Sequence, residues 1–219
     1  MSLSRPTAHQ FGIKLALVAS LVVAALAITA APALAAGSAA TASSSTTTAS
    51  GCSDDALGNP FARFGDNANY APLPGGSFEQ GNGGWSLSGS SVASGNESYG
   101  VAGGSKSLAI QPGGEAVSPA FCVDVAHPTL RFFARQTSGS WAVLNVILRW
   151  TDAKGAIHDT TVGSLQSGTS WKPTPIMALG TTLPLWQNGE TLSVRLVLKP
   201  EAYGGAWAVD DVFADPRMR

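Results

Sequence analysis

The chain has 219 residues, of which 44% are hydrophobic and 12% charged, and its 13 lysines and arginines nearly balance 14 aspartates and glutamates. This near-neutral balance gives no overall field that would attract nucleic acid or an anionic membrane. The length suits one domain with a real core, and a second folded domain is not expected.

Residues 1–35 have the three-part layout of a secretory signal peptide. Arg5 and Lys14 precede an apolar run over 15–28, and Ala-Leu-Ala at 33–35 is a small-x-small cleavage site. The run is shorter than the roughly 20 residues that a membrane-spanning helix needs, although a retained anchor is the alternative. The layout predicts a secreted or cell-surface protein with no membrane span in the mature chain.

Two segments separate this leader from the predicted domain. Residues 36–51 are almost wholly Ala, Ser, Thr and Gly, a composition typical of a flexible linker or stalk. Residues 52–74 contain apolar side chains without a regular period and are interrupted by glycine and proline. We expect this second segment to be an N-terminal arm that lies across the domain of residues 75–219.

Cys52 and Cys122 are the only cysteines in the chain. Export would place both in an oxidising compartment, and we therefore predict that they form a disulfide that ties down the arm. A disulfide that closes a loop of this length stabilises the fold by about 4 kcal/mol, because it restricts the unfolded chain. The alternative is a pair of buried free thiols.

From residue 75 onward, short β-type runs alternate with turn residues, a pattern that predicts an all-β sandwich or barrel. The predicted strands cover 77–79, 85–88, 98–101, 107–111, 115–124, 129–136, 141–152, 156–165, 171–178, 191–199 and 206–214. Alternation assigns a core face to three of them. These core positions are Leu130, Phe132, Ala134, Leu144, Val146, Leu148, Trp150, Leu192, Val194, Leu196 and Leu198.

The opposite faces of the same strands predict a basic and partly aromatic surface. They carry Arg131, Phe133, Arg135, Trp141, Asn145, Ile147, Arg149, Arg195 and Lys199. Arginine forks and stacked rings suit an acidic polysaccharide, with Arg131, Arg149 and Arg195 as candidate ligand residues. The alternative is a solvated sheet on which these arginines pair with Asp152, Asp159, Glu190 or Glu201.

Five motifs together resemble the galactose-binding-like jelly roll of many carbohydrate-binding modules. They are GGSFE at 75–79, GGW at 83–85, GSKSL at 104–108, Trp171, and WAVDDV at 207–212. The resemblance covers roughly residues 75–215 and implies a two-sheet antiparallel jelly-roll sandwich. The arm and its predicted disulfide are not part of the usual module.

The resemblance also implies a structural calcium ion where the first and last strands meet. Its ligands would be the carboxylates of Glu79 and Asp211, with Asp210 as a substitute, and a backbone oxygen near Lys106. A carboxylate in an otherwise apolar strand needs a cation or several donors, and Ca²⁺ accepts carboxylate and carbonyl oxygens. The alternative is that Glu79 or Asp211 caps a turn or pairs with Lys106.

The resemblance places Trp85, Trp171 and Trp207 in the core, which leaves Trp141 and Trp186 as candidate platforms for stacking a sugar ring. The alternative is that such an indole only covers one end of the sandwich core and binds no sugar.

No sequence motif positions a catalytic nucleophile, a catalytic metal or a phosphate, so we expect no enzymatic activity. The sequence favours a secreted, non-catalytic module that binds an extracellular or cell-wall glycan. A structural or adhesive surface protein that binds other proteins is the alternative, and a glycan-active enzyme is the third option.

Overall fold

Short β-type runs separated by glycine and proline form eleven strands and one short 3-10 helix in the part of the chain that the structure, a computed structural model, describes. That part comprises residues 57–123, 129–166, 168–179, 183 and 192–215, all within one compact unit, Ser45–Arg219. The elements are the 3-10 helix (Ala62–Phe64), β1 (Ala71–Pro72), β2 (Ser86–Ser94), β3 (Lys106–Val117), β4 (Phe121–Val123), β5 (Thr129–Gln136), β6 (Val143–Thr151), β7 (Ile157–Gln166), β8 (Lys172–Pro173), β9 (Met177–Ala178), β10 (Leu192–Pro200) and β11 (Trp207–Asp215).

All strand pairs are antiparallel, and the strand order is β7-β6-β10-β3-β11-β5-β8. Strands β1, β2, β4 and β9 pair beside β11, β3, β10 and β5, respectively. The first half of β3 pairs with β11, and its last residues, Ala116 and Val117, pair with β10. Because β3 belongs to both layers, the sheet curls on itself and encloses a core, as a β-sandwich does.

The core lies between the inner faces of β3, β5, β6, β10 and β11, where the predicted alternation is confirmed. Leu130, Phe132, Leu144, Leu148 and Leu196 have no exposed surface, and the other predicted core residues are buried or pack against this cluster. Trp85 and Trp207 are also part of it. Period-2 alternation therefore identified the inner side of these strands because only one of their faces meets the core.

A second apolar cluster forms where the N-terminal arm covers the outer side of β5 and β11. Phe61 stacks on Phe133 at 5.4 Å between ring centroids and meets the edges of Tyr70 and Phe213 at 4.9 and 5.6 Å. Trp171 belongs to the same cluster. Both faces of β5 and β11 are consequently buried, which the alternation of a half-buried strand does not predict.

Two predicted strands are turns in the structure. Residues 77–79 turn because Phe78 has a φ of 58° and its N–H bonds the carbonyl oxygen of Gly75 at 3.2 Å. Residues 98–101 cannot join a sheet because the N–H groups of Tyr99 and Val101 donate to the carboxylate of Glu97. Glu79 therefore lies in a turn, where a strand was expected.

The predicted leader, linker and Cys52 lie outside the described residues, so their boundaries and the Cys52–Cys122 disulfide remain predictions. Cys122 itself lies in β4. Among the described residues, no helix has the length and apolar character needed to cross a membrane.

Candidate functional site

The outer side of the β7-β6-β10-β3 layer carries the first group of candidate residues, and we call it the outer face. Alternation and register place on it Glu115, Val117, Asn145, Ile147, Arg149, Asp159, Thr161, Ser164, Arg195, Val197 and Lys199. Val197 is buried at its centre, paired with Ile147 on one side and Val117 on the other. Charged and polar side chains flank this apolar strip.

Most charges of the outer face are paired. Arg149 binds Asp159 with two N–O distances of 2.8 Å and lies 3.4 Å from Glu115, which also meets Lys199 at 3.5 Å. The hydrogen bonds that Arg149 donates to Asp159 raise the pKa of Arg149, and the same bonds lower the pKa of Asp159. The predicted alternative, an arginine held by Asp159, is therefore correct for Arg149.

Arg195 differs from Arg149 because it forms no ion pair with any residue that the structure describes. Its side chain is exposed, and it donates one hydrogen bond, at 3.0 Å, to the carbonyl oxygen of Ser118. In the strand register it lies directly opposite Arg149. The guanidinium of Arg195 is thus available to a ligand.

The expectation that Arg131 and Phe133 lie on a free surface is wrong, because the arm covers them. Arg131 is 8% exposed, pairs with Asp66 at 2.6 Å and donates twice to the carbonyl oxygen of Thr174. Its guanidinium also lies over the ring of Phe61, 4.4 Å from the centroid. Arg131 therefore holds the arm and is buried away from any ligand surface.

Two exposed aromatic side chains lie at the end of the outer face where β6 begins and β10 ends. Trp141 is 88% exposed and precedes β6, while Tyr203, which follows β10, is fully exposed. Their loops touch: a Cβ on Gly204 would lie 3.0 Å from the carbonyl oxygen of Trp141. Trp141 is thus not the indole that closes the sandwich, whereas Trp186 lies outside the described residues.

Four carboxylates converge where β11 meets the turn after the arm, and we call them the acidic cluster: Glu79, Glu97, Asp210 and Asp211. Consecutive strand residues normally point to opposite faces, yet the same loop between β2 and β3 donates backbone N–H groups to both Asp210 and Asp211, which are 0% and 1% exposed. The reason is a bulge between Asp210 and Phe213, in which Asp211 has a φ of 48°. The bulge directs two neighbouring carboxylates into one site.

The loop between β2 and β3 wraps this cluster with six backbone N–H groups. Glu97, Ala102 and Lys106 donate to Asp210, Asp211 and Glu79 at 2.9, 3.0 and 2.7 Å, and Ser105 also donates to Glu79. Tyr99 and Val101 supply the remaining two to Glu97. Backbone donors thus stabilise four carboxylates that form no ion pair with any described lysine or arginine.

Gly104 allows this loop to approach Glu79. Its φ is 114°, and a Cβ there would lie 2.3 Å from the carboxyl carbon of Glu79. Only glycine fits both the backbone conformation and the space. Gly104, the first residue of the GSKSL motif, is therefore required for the contact between this loop and the Glu79 carboxylate.

One carboxylate oxygen of the acidic cluster receives no backbone N–H group and could therefore bind a calcium ion. Oδ1 of Asp211 is buried and accepts no hydrogen bond from any residue in the described part of the chain. Burial, and then the charges of Glu97 and Glu79, raise the pKa of Asp211 to about 6, and burial together with Asp211 and Glu97 raises that of Asp210 to about 8. No three His, Cys, Asp or Glu side chains of the described residues have metal-binding spacing, so backbone carbonyl oxygens would have to complete the site.

Sequence reasoning missed Tyr203 and Glu97. Tyr203 lies in a turn signalled by two following glycines, but such a signal does not mark an aromatic ring as exposed. Glu97 stands in a polar Asn-Glu-Ser segment, where a buried carboxylate has no distinguishing pattern.

No protein-family model matches the chain, and no curated protein matches it. Among solved structures, the CBM22-1–GH10 modules of Clostridium thermocellum endo-1,4-β-D-xylanase 10B, complexed with xylohexaose, match 64% of this chain and 27% of theirs, with 10% identity and a TM-score of 0.50. The CBM22-1 xylan-binding domain of Xyn10C from Paenibacillus barcinonensis matches 65% of this chain and 93% of its own, with 16% identity and a TM-score of 0.47. The family 11 module of a cellulosomal cellulase of Clostridium thermocellum matches 69% and 97%, with 13% identity and a TM-score of 0.42.

The likeness to the Clostridium thermocellum CBM22-1–GH10 modules confirms the predicted resemblance at the level of the fold: the chain folds like the jelly roll of carbohydrate-binding modules. At such identities the likeness concerns the fold alone.

Proposed function

We propose that the protein is a secreted or surface-displayed, non-catalytic module that binds a polysaccharide along its outer face. The observation that carries the proposal is the pair of exposed rings, Trp141 and Tyr203, on touching loops at one end of that face. Large exposed aromatic side chains mark interaction surfaces, and an indole or phenol ring can stack on the apolar face of a sugar. The structural neighbour that was solved in complex with xylohexaose supports the same class of ligand.

The outer face complements these rings with hydrogen-bonding groups. Asn145, Thr161 and Ser164 lie on adjacent strands β6 and β7, and Arg195 and Lys199 extend the polar surface across β10. Such groups match sugar hydroxyls, while the apolar strip around Val197 matches the carbon faces of sugar rings. A polysaccharide chain would thus meet a ring at one end and polar groups along its length.

The test is a binding screen of the purified protein against soluble neutral and charged polysaccharides, including xylan. We expect saturable binding, at least tenfold weaker in Trp141→Ala and in Tyr203→Ala, because each substitution removes a stacking surface. Ile176→Ala is the matched control, since Ile176 is exposed but lies beside β9, which pairs with β5 in the other layer. No binding to any polymer, together with concentration-dependent self-association, would favour the adhesive surface protein instead.

We also propose that one Ca²⁺ ion binds the acidic cluster and stabilises it. Asp211 Oδ1 and the Glu79 carboxylate supply side-chain oxygens, and backbone carbonyl oxygens, including one near Lys106, complete the donor set. Asp210 and Glu97 are poorer ligands because both oxygens of each already accept backbone N–H groups. Bound calcium offsets the mutual repulsion of carboxylates that pair with no described lysine or arginine.

Thermal unfolding with calcium and with a chelator tests this second proposal. Calcium at one hundred times its Kd adds about 2.7 kcal/mol to the free energy of unfolding, which corresponds to about 5–10 °C for a domain of this size. Asp211→Asn should abolish the shift, whereas Asp159→Asn, on the outer face, should keep it. An unchanged midpoint in the wild-type protein would remove calcium from the proposal without affecting glycan binding.

A further inference from the structure

The outer face ends in a pocket at the opposite end from Trp141. This pocket has a volume of about 350 Å³ and lies where β6 ends and β10 begins. Its polar lining comprises Arg149, Trp150, Thr151, Ser193 and Arg195. Strand β6 runs between the pocket and the end that carries Trp141, and its length is roughly 27 Å at about 3.4 Å per residue.

One of the two positive charges of the pocket is uncompensated. Arg149 and Arg195 are direct partners across the β6–β10 pair, and like charges in that position repel each other. Asp159 neutralises Arg149, but among the described residues Arg195 has only the Ser118 carbonyl oxygen as partner. No acidic side chain of the described residues lines the pocket.

The other polar groups on the outer side of the pocket are the hydroxyls of Thr151 and Ser193. A hydroxyl can donate a hydrogen bond as well as accept one, whereas the guanidinium of Arg195 can only donate and is positively charged. A group that accepts hydrogen bonds and carries negative charge therefore suits all three side chains.

We propose that this pocket binds an anionic substituent of the polysaccharide, a carboxylate or a sulfate ester, with Arg195 as its principal partner. The planar guanidinium fork matches the oxygens of either group. The inference rests on the proposed glycan binding and narrows it to acidic polymers. The separation between the pocket and Trp141 further indicates a ligand of several sugar units.

Calorimetric titration with two matched pairs of polymers tests the inference. The pairs are polygalacturonate with its methyl-esterified form, and dextran sulfate with dextran. Wild-type protein is compared with Arg195→Gln, with Ser193→Asp, which adds negative charge to the pocket, and with Lys154→Gln. This last variant removes an equal charge from the exposed turn after β6 and serves as the control.

We expect at least one charged polymer to bind roughly tenfold or more tightly than its neutral partner, and the pair that shows the preference identifies carboxylate or sulfate. Arg195→Gln and Ser193→Asp should abolish the preference, while Lys154→Gln should change Kd less than about twofold. Equal binding of neutral and charged polymers would overturn the inference and leave the proposed function standing. Equal losses in Arg195→Gln and Lys154→Gln would also overturn it, because binding would then follow net charge. If no polymer bound, including xylan, both proposals would fall.

Discussion

Two arginine–aspartate pairs of this protein differ mainly in burial, and removing each aspartate tests how the arm is held. The Arg131–Asp66 pair has side-chain exposures of 9% and 13%, whereas Arg149 and Asp159 are 30% and 44% exposed. Asp66 also accepts hydrogen bonds from the hydroxyl of Tyr70 at 2.7 Å and from the backbone N–H of Ala68 at 3.1 Å. Asp66→Ala therefore leaves a buried guanidinium and a buried phenol without their acceptor.

The expected magnitude follows from that difference. Removing one partner of a buried pair costs about 3–5 kcal/mol, and the slight exposure of Asp66 places Asp66→Ala near 3 kcal/mol. Asp159→Ala should cost less than about 1 kcal/mol, because water screens an exposed pair. With a slope of about 2 kcal/mol per molar urea, the unfolding midpoint should fall by about 1.5 M for Asp66→Ala and by less than 0.5 M for Asp159→Ala.

The pH dependence supplies an independent check. Hydrogen bonds from Tyr70, Ala68 and Arg131, with the charge of Arg131, outweigh the opposing effect of burial and hold the pKa of Asp66 below 3.8. A carboxyl whose pKa is depressed on folding stabilises the protein above its unfolded pKa, and this stabilisation disappears as the pH falls through the folded value. The difference between wild type and Asp66→Asn should thus be complete at pH 7 and shrink below pH 4. Equal costs for Asp66→Ala and Asp159→Ala, or a difference that does not shrink as the pH falls below 4, would refute this account of the arm.

Three further substitutions test the other structural claims. Phe61→Ala should lower the free energy of unfolding by about 3 kcal/mol in urea titrations, because Phe61 has no exposed surface; a loss below 1 kcal/mol would show that the arm is dispensable. Gly104→Ala should lower the thermal midpoint and weaken any calcium response, since its Cβ would collide with Glu79. Gly100→Ala is the control for backbone strain alone, because φ is also positive there but a Cβ meets nothing within 4 Å. Trp141→Ala should leave the thermal midpoint within about 1 °C of wild type because the ring is 88% exposed, and a large shift would mean that the indole supports the fold.

The pattern of the chain by itself determined the inner side of the sandwich. Strand β5 matches its predicted range of 129–136, and Leu144, Leu148 and Leu196 are buried as their alternation required. Alternation is informative there because apolar and polar residues alternate along a strand that has one buried and one solvated face. The motif resemblance supplied the fold class and placed Glu79, Asp210 and Asp211 in one neighbourhood.

The outer side depended on contacts between residues far apart in the chain. Arg131 and Arg195 occupy equivalent outward positions in their strands, yet the arm buries the first and leaves the second exposed. Asp210 and Asp211 face the same site only because the backbone bulges at a positive φ. Neither the path of an irregular arm nor a bulge has a periodic signal, so only the tertiary structure decided which charged residues are structural and which are free to bind.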